Sequence, residues 1–178
     1  MSKSFKIDEV ASSGNDEYYT PEYAISPLIQ YLKDKEFKTI WCPFDTERSH
    51  YVKMLTAEGF EVINTHLDSG DDFFFMIPPE CDCIVSNPPY SIRTQIIERL
   101  YNIGKPFAML LGVVGLFESQ KRFGMFSRFP VEVMYFDKRI AYFRSYEDQK
   151  PSFDPPFSSV YLCSNVLPKQ MIFETIHR

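Results

Sequence analysis

The chain has 178 residues, long enough for one domain with a sizeable core and short for two. Apolar residues make up 44% and aromatic residues 16%, so the fold needs no disulfide or metal staple. A net charge of −5 and a pI of about 5.2 exclude a generally basic, polyanion-coating protein; any nucleic-acid face has to be a local basic patch on an acidic body.

Residues 1–16 are polar and turn-rich and are expected to form a flexible arm. They lack the apolar centre of a signal peptide, and no run approaches the ~18 apolar residues of a membrane span, so a cytoplasmic protein with no membrane partner is expected. "TPEYAISPLIQYL" (20–32) predicts a helix, with Thr20 as cap, Pro21 in the first turn and Glu22 complementing the dipole. "FKTIWCPF" (37–44) is a strand ended by proline. "ERSHYVKMLTAEGF" (47–60) is a helix stopped at Gly59, and "FEVINTHL" (60–67) the next strand. The segment 68–80 is loop with one turn of helix. "CDCIVS" (81–86) is a buried strand and "SIRTQIIERLYNIG" (91–104) an amphipathic helix ending at Gly104. "PFAMLLGVVGLF" (106–117) opens with a strand, and 119–129 is a surface loop or short helix. "VEVMYFDKRIAYF" (131–143) alternates as a strand, 144–156 is a turn-rich loop, and 157–176 holds two strands expected to pair as an antiparallel hairpin. Cys42, Cys81, Cys83 and Cys163 form no zinc hook, because Cys81 and Cys83 have a single residue between them. They read as buried thiols in a reducing compartment.

Strands alternating with helices predict an α/β fold with a mostly parallel sheet and helices on both faces, in which ligands bind at the carboxyl ends of the strands. One domain over 17–178 is expected. The strand 81–86 runs straight into Asn87-Pro88-Pro89-Tyr90. Paired prolines lack backbone donors and fix φ, so this elbow is rigid. It can hold two acceptors, the Asn87 side-chain oxygen and the Pro88 carbonyl, toward one point, where they suit the two hydrogens of an exocyclic amine. Bonds that favour a pyramidal nitrogen localise its lone pair for attack on a sulfonium methyl group. That is positioning and electrostatics, with no protein nucleophile.

"NPPY" after an apolar strand resembles the catalytic motif of the S-adenosylmethionine-dependent N6-adenine methyltransferases. "DEYYTPEYAISPLIQYL" looks like the segment that precedes the cofactor strand in that family. "GFEVINTHLDSGDDFF" looks like its second strand and Gly-x-Asp-Phe element, carried here by Gly70, Asp72 and Phe73. "FDKRIAYF" and the terminal strands look like its late motifs. The resemblance implies the Rossmann-like, seven-stranded class I methyltransferase fold and S-adenosylmethionine as cofactor. It implies that Asn87, Pro88 and Pro89 orient the amine and that Tyr90 stacks on a base taken out of its duplex. Tyr19, Thr20, Pro21, Pro43, Phe44 and Asp45 would flank the methionine end of the cofactor, Asp72 and Phe73 its adenine, and His66 with Asp68 its ribose.

The chain departs from the family at two places. The glycine-rich turn Asp-Pro-x-x-Gly-x-Gly is replaced by "CPFDTERS" (42–49), which puts Thr46 and Arg48 where glycines admit the cofactor, so crowding is expected there. His66 also stands where a carboxylate usually binds the ribose hydroxyls. Two functions therefore stay open. One is adenine-N6 methyl transfer on nucleic acid, DNA ahead of RNA. The other is a catalytically silent, methyltransferase-like protein that binds nucleic acid or a protein partner, such as a phage counter-defence factor. With no target-recognition domain expected, DNA contacts would come from loops, a partner or a homodimer. Lys121, Arg122 and Arg128, interleaved with Phe123 and Phe126, are the first basic candidates, and Lys138 and Arg139 the second. No metal is expected.

Overall fold

The computed structural model describes residues 18–148, 150 and 157–178. The expected arm at 1–16 and most of the loop end at 149–156 lie outside them. Seven strands form one sheet: β1 (Thr39–Cys42), β2 (Glu61–Asn64), β3 (Cys83–Ser86), β4 (Phe107–Gly112), β5 (Glu132–Phe136), β6 (Ser159–Ser164) and β7 (Met171–Glu174). Their order is β2-β1-β3-β4-β6-β5-β7, with β6 antiparallel to β4 and β5 and every other neighbour parallel. Among the described residues, four α-helices, α1 (Glu22–Asp34), α2 (His50–Ala57), α3 (Arg93–Ile103) and α4 (Gln120–Phe126), cover it. The result is an α/β, Rossmann-like fold, a mostly parallel seven-stranded sheet with helices on both faces, as the sequence reading expected.

Strand alternation divides the core into two layers. Ile40, Val85, Ala108, Leu110 and Tyr161 pack with Ile25 and Leu28 of α1 and Leu55 of α2. Trp41, Ile84, Met109, Leu111 and Leu162 pack with Ile96 and Leu100 of α3 and Met125 of α4. β3, β4 and β6 are buried along their whole length, which is why they read as unbroken apolar runs. All four thiols are free and buried. Among the described residues, no helix is long and apolar enough to cross a membrane.

Local signals set the ends. Ser49 accepts a hydrogen bond from Tyr51 N at 3.1 Å and starts α2, while Gly59 closes the turn behind that helix at φ 93°. Gly104 ends α3 in the left-handed conformation at φ 75°. Thr20 does not cap α1: extended Pro21 occupies the cap position, and no side chain completes it.

The expected terminal hairpin is not formed. β6 and β7 run in opposite directions, but β5 lies between them. The reason is a turn built on Glu132, whose carboxylate accepts from the backbone N–H groups of Asn165, Val166 and Leu167 at 2.9, 3.0 and 2.7 Å. These bonds carry the chain around the end of β5 to its far side. The strand expected over 131–143 is also shorter, since Asp137 accepts from Ile176 N at 2.9 Å and the chain turns away there.

Leu110 lies in the central strand β4 with no exposed surface. Leu110→Ala is expected to cost about 2–5 kcal/mol, read as a lower urea midpoint with an unchanged m-value.

Candidate functional site

From the middle of the sheet, β1 and β2 wind one way and β3 and β4 the other, so the winding reverses between β1 and β3. Beyond their carboxyl ends the chain diverges and leaves a crevice. It leaves β1 as Pro43-Phe44-Asp45 and β3 as Asn87-Pro88-Pro89-Tyr90. Between these segments is a cavity of about 430 Å³, a size suited to a nucleoside-class ligand.

The elbow forms one wall. Asn87 Nδ2 donates to the Tyr18 carbonyl at 3.0 Å, which fixes the amide plane. Its Oδ1 is buried and accepts from no group among the described residues. Pro88 is buried, and Pro89 starts the one-turn 3-10 helix Tyr90–Ile92 that leads into α3. Tyr142 donates to Ser159 Oγ at 2.8 Å, so Tyr90 is the donor in the 2.9 Å contact between the Tyr90 and Tyr142 hydroxyls. Burial pushes the Tyr90 hydroxyl up to about 12, so it stays neutral, and its ring meets Phe157 edge-on at 5.9 Å.

The turn after β1 forms the opposite wall. Asp45 is 8% exposed and has both carboxylate oxygens engaged: one accepts from Ser49 Oγ at 2.5 Å, the other from Ser86 Oγ. Its backbone N–H donates to Thr65 O at 3.2 Å. One carboxylate thus ties the start of α2 to the last residue of β3, immediately before Asn87. Burial raises the Asp45 carboxyl to about 6, against the lowering pull of the two hydroxyls.

The crowding expected from Arg48 is absent. Its guanidinium turns outward to Glu147 at 3.2 Å and lies 5.5 Å from the centre of the Tyr146 ring. Thr46 does line the cavity. Among the described residues, Glu36 and Asn165 alone of the non-glycines have positive φ, so this turn is made without the conformation that demands glycine.

The remaining candidates gather around the same space. Tyr19 pairs with Phe143 through reciprocal backbone bonds of 2.9 and 3.2 Å, and its ring lies 4.0 Å from that of Tyr146. Thr20 is buried at the start of α1, and its hydroxyl is without a hydrogen-bond partner. His66 Nδ1 accepts from Asp68 N at 3.1 Å and lies 3.3 Å from an Asp68 carboxylate oxygen. Asp72 accepts from Phe74 N at 2.8 Å through one oxygen. Phe73 is a buried wall element against Phe44 and Trp41, with ring centres 4.9 and 5.6 Å away. Of the residues proposed from the sequence for the base and the cofactor, all but Pro21 line the cavity. Tyr18, Thr46, Ser49, Asp71, Phe74, Ile92 and Tyr146 line it too and were not singled out as ligands. Ser49 carried a signal, a serine at a helix start, whereas Tyr146 sits in a turn-rich loop that gave none.

The basic candidates are dispersed, and none lines the cavity. Arg122 does not face solvent phosphates: its guanidinium is buried and donates to the carbonyls of Leu116 and Gly115, at 2.7 and 2.5 Å, and to Thr94 Oγ1. Lys121 pairs with Glu98 at 2.7 Å, and Arg128 Nε donates to Gly124 O at 2.7 Å. Lys138 donates to Ile176 O at 3.0 Å, and Arg139 is exposed.

No protein-family model matches the chain, and no curated protein matches its sequence. Matching solved structures include the crystal structure of a dimethyladenosine transferase from Plasmodium falciparum, at 14% identity and a TM-score of 0.47. That match covers 83% of this chain and 62% of the other, so the chain spans less than two thirds of that protein's length. At this level the likeness says nothing about substrate, and the fold rests on the strand order and the two core layers.

Arg122→Ala should destabilise the protein by about 2–3 kcal/mol, because two buried carbonyls and a hydroxyl lose a charged donor. Lys121→Ala, which removes an exposed pair, should change stability by less than about 1 kcal/mol. Paired urea titrations check both.

Proposed function

We propose that this protein transfers a methyl group from S-adenosylmethionine to the N6 amine of adenine in nucleic acid, DNA ahead of RNA. One observation carries the reading: Asn87 Oδ1 is buried at the edge of a nucleoside-sized cavity, with its own amide nitrogen tied down and no partner of its own among the described residues. A buried acceptor left open costs stability, and a bound donor recovers it.

The cavity residues fit the cofactor. The orphaned Thr20 hydroxyl lies beside the amino end of α1, where the helix dipole favours a carboxylate. Among the described residues, Asp45, Asp68, Asp71 and Asp72 line the cavity and no Lys or Arg does, which suits a ligand with sulfonium and ammonium charges. When bound, the cofactor supplies an electrophilic methyl group. The chain supplies orientation. Asn87 Oδ1 and the Pro88 carbonyl accept the two amine hydrogens and draw the nitrogen toward a pyramidal shape, with its lone pair aimed across the crevice. The tethered Tyr90 ring offers a face to the base, and the walls exclude water.

The glycine-free turn at 43–49 favours a second reading, in which the same cavity binds a nucleoside or a partner without turnover. Ligand binding and transfer separate the two. S-adenosylmethionine at a hundred times its Kd should stabilise the fold by about 2.7 kcal/mol, read as a rise in Tm. Asn87→Ala should lower transfer to adenine-containing oligonucleotides at least ~100-fold while leaving cofactor Kd within a few-fold. No shift in Tm at millimolar cofactor would remove the methyl-transfer reading, and undiminished transfer by Asn87→Ala would assign the amine to another group.

A further inference from the structure

We propose that Asp45 makes this cavity selective for a cationic ligand over its neutral counterpart, so that the sulfonium cofactor binds ahead of the thioether left after transfer. The inference rests on the methyl-transfer reading and extends it to the order in which ligands enter and leave.

The geometry is that of an uncompensated buried charge. Asp45 lines the cavity at 8% exposure, and the groups that hold its oxygens, Ser49 and Ser86, are neutral hydroxyls. Among the described residues, no Lys or Arg lines the cavity to offset it. A carboxylate out of water with no counter-ion is costly, and an approaching cation gains what the protein does not provide. The neutral thioether gains nothing from it. Hydroxyl bonds to both oxygens fix the carboxylate, so it cannot swing out to solvent.

The titratable groups facing Asp45 leave its charge standing. Cys42, Tyr51, Tyr146 and Tyr161 are raised by burial and stay neutral, and among the described residues His66 pulls the Asp45 carboxyl down by less than either hydroxyl does. The Asp45 carboxyl lies at about 6, above its ordinary 3.8. The folded state therefore holds this proton more tightly than the unfolded chain does. The stability it contributes is present below about pH 4 and lost as pH rises through about 6. Above that pH the charge is in place and a cation relieves it. Below, the preference fades.

Calorimetric titration of the full chain with S-adenosylmethionine and with S-adenosylhomocysteine, near pH 7.5 and near pH 5, tests this. The two ligands share every titratable group, so their ratio isolates the sulfonium charge. Asp45 predicts a preference of at least about tenfold for the sulfonium form near pH 7.5, shrinking toward equality near pH 5. Near pH 6, titrations in buffers of different ionisation enthalpy should report proton release with the sulfonium ligand and none with the thioether. Asp45→Asn should abolish both the preference and the release. If that variant does not fold, the pH dependence and proton count of the natural chain decide. Equal affinities near pH 7.5, or a preference that is the same at both pH values, would overturn the proposal while leaving methyl transfer standing. Failure of both ligands to bind would overturn both readings.

Discussion

A side-chain amide needs partners for both of its ends, and Asn87 is given only one. Its nitrogen is committed to the Tyr18 carbonyl, so the amide cannot flip, and its oxygen is buried with no partner among the described residues. An arrangement of this kind costs about 1–3 kcal/mol in a folded protein. It persists because the surroundings over-determine it: β3 is wholly buried and Pro88 and Pro89 remove the backbone freedom that would let the residue relax. The rest of the site is arranged around that acceptor.

Three connections hold the acceptor in register with the rest of the cavity. Asp45 binds Ser86, the residue before Asn87, and Ser49, the cap of α2, so the turn after β1 and the elbow after β3 move as one unit. Tyr90 is tied through Tyr142 to Ser159 on β6, which anchors the far side of the elbow to the reversed strand. Tyr18 joins the elbow to the segment that leads into α1, whose start carries the orphaned Thr20 hydroxyl. The sheet's change of winding direction puts these pieces together, since it splays the chain apart just where β1 and β3 end.

Much of this was legible in the residues. The prolines after an apolar run marked the elbow, and alternating strands and helices gave the parallel core and the end of the sheet where ligands bind. The misreadings each have a physical cause. Two late strands with a short link suggested a hairpin; what decides otherwise is a single carboxylate, Glu132, collecting three backbone donors, and nothing local to 165–170 reveals it. Thr-Pro reads as a helix cap, yet Pro21 takes that position itself and frees Thr20 for the cavity. Arg122 belongs to a basic run, but an arginine can be buried when carbonyls surround it, as Gly115 and Leu116 do. Arg48 was expected to obstruct, and a side chain at a turn can leave by another direction. Burial of Asp45 had no signature at all, because an aspartate in a turn after a strand ordinarily faces water.

The role given to Asn87 depends on which atom receives the methyl group. Incubating the protein with methyl-labelled S-adenosylmethionine and adenine-containing DNA, single-stranded and duplex, followed by digestion to nucleosides and mass analysis, measures that directly. The label is expected in N6-methyl-2′-deoxyadenosine, and most readily from single strands, where the base needs no extraction from a stack. Label in cytosine, in a ring nitrogen or in protein, with the adenine amine unmodified, would contradict the role given to Asn87.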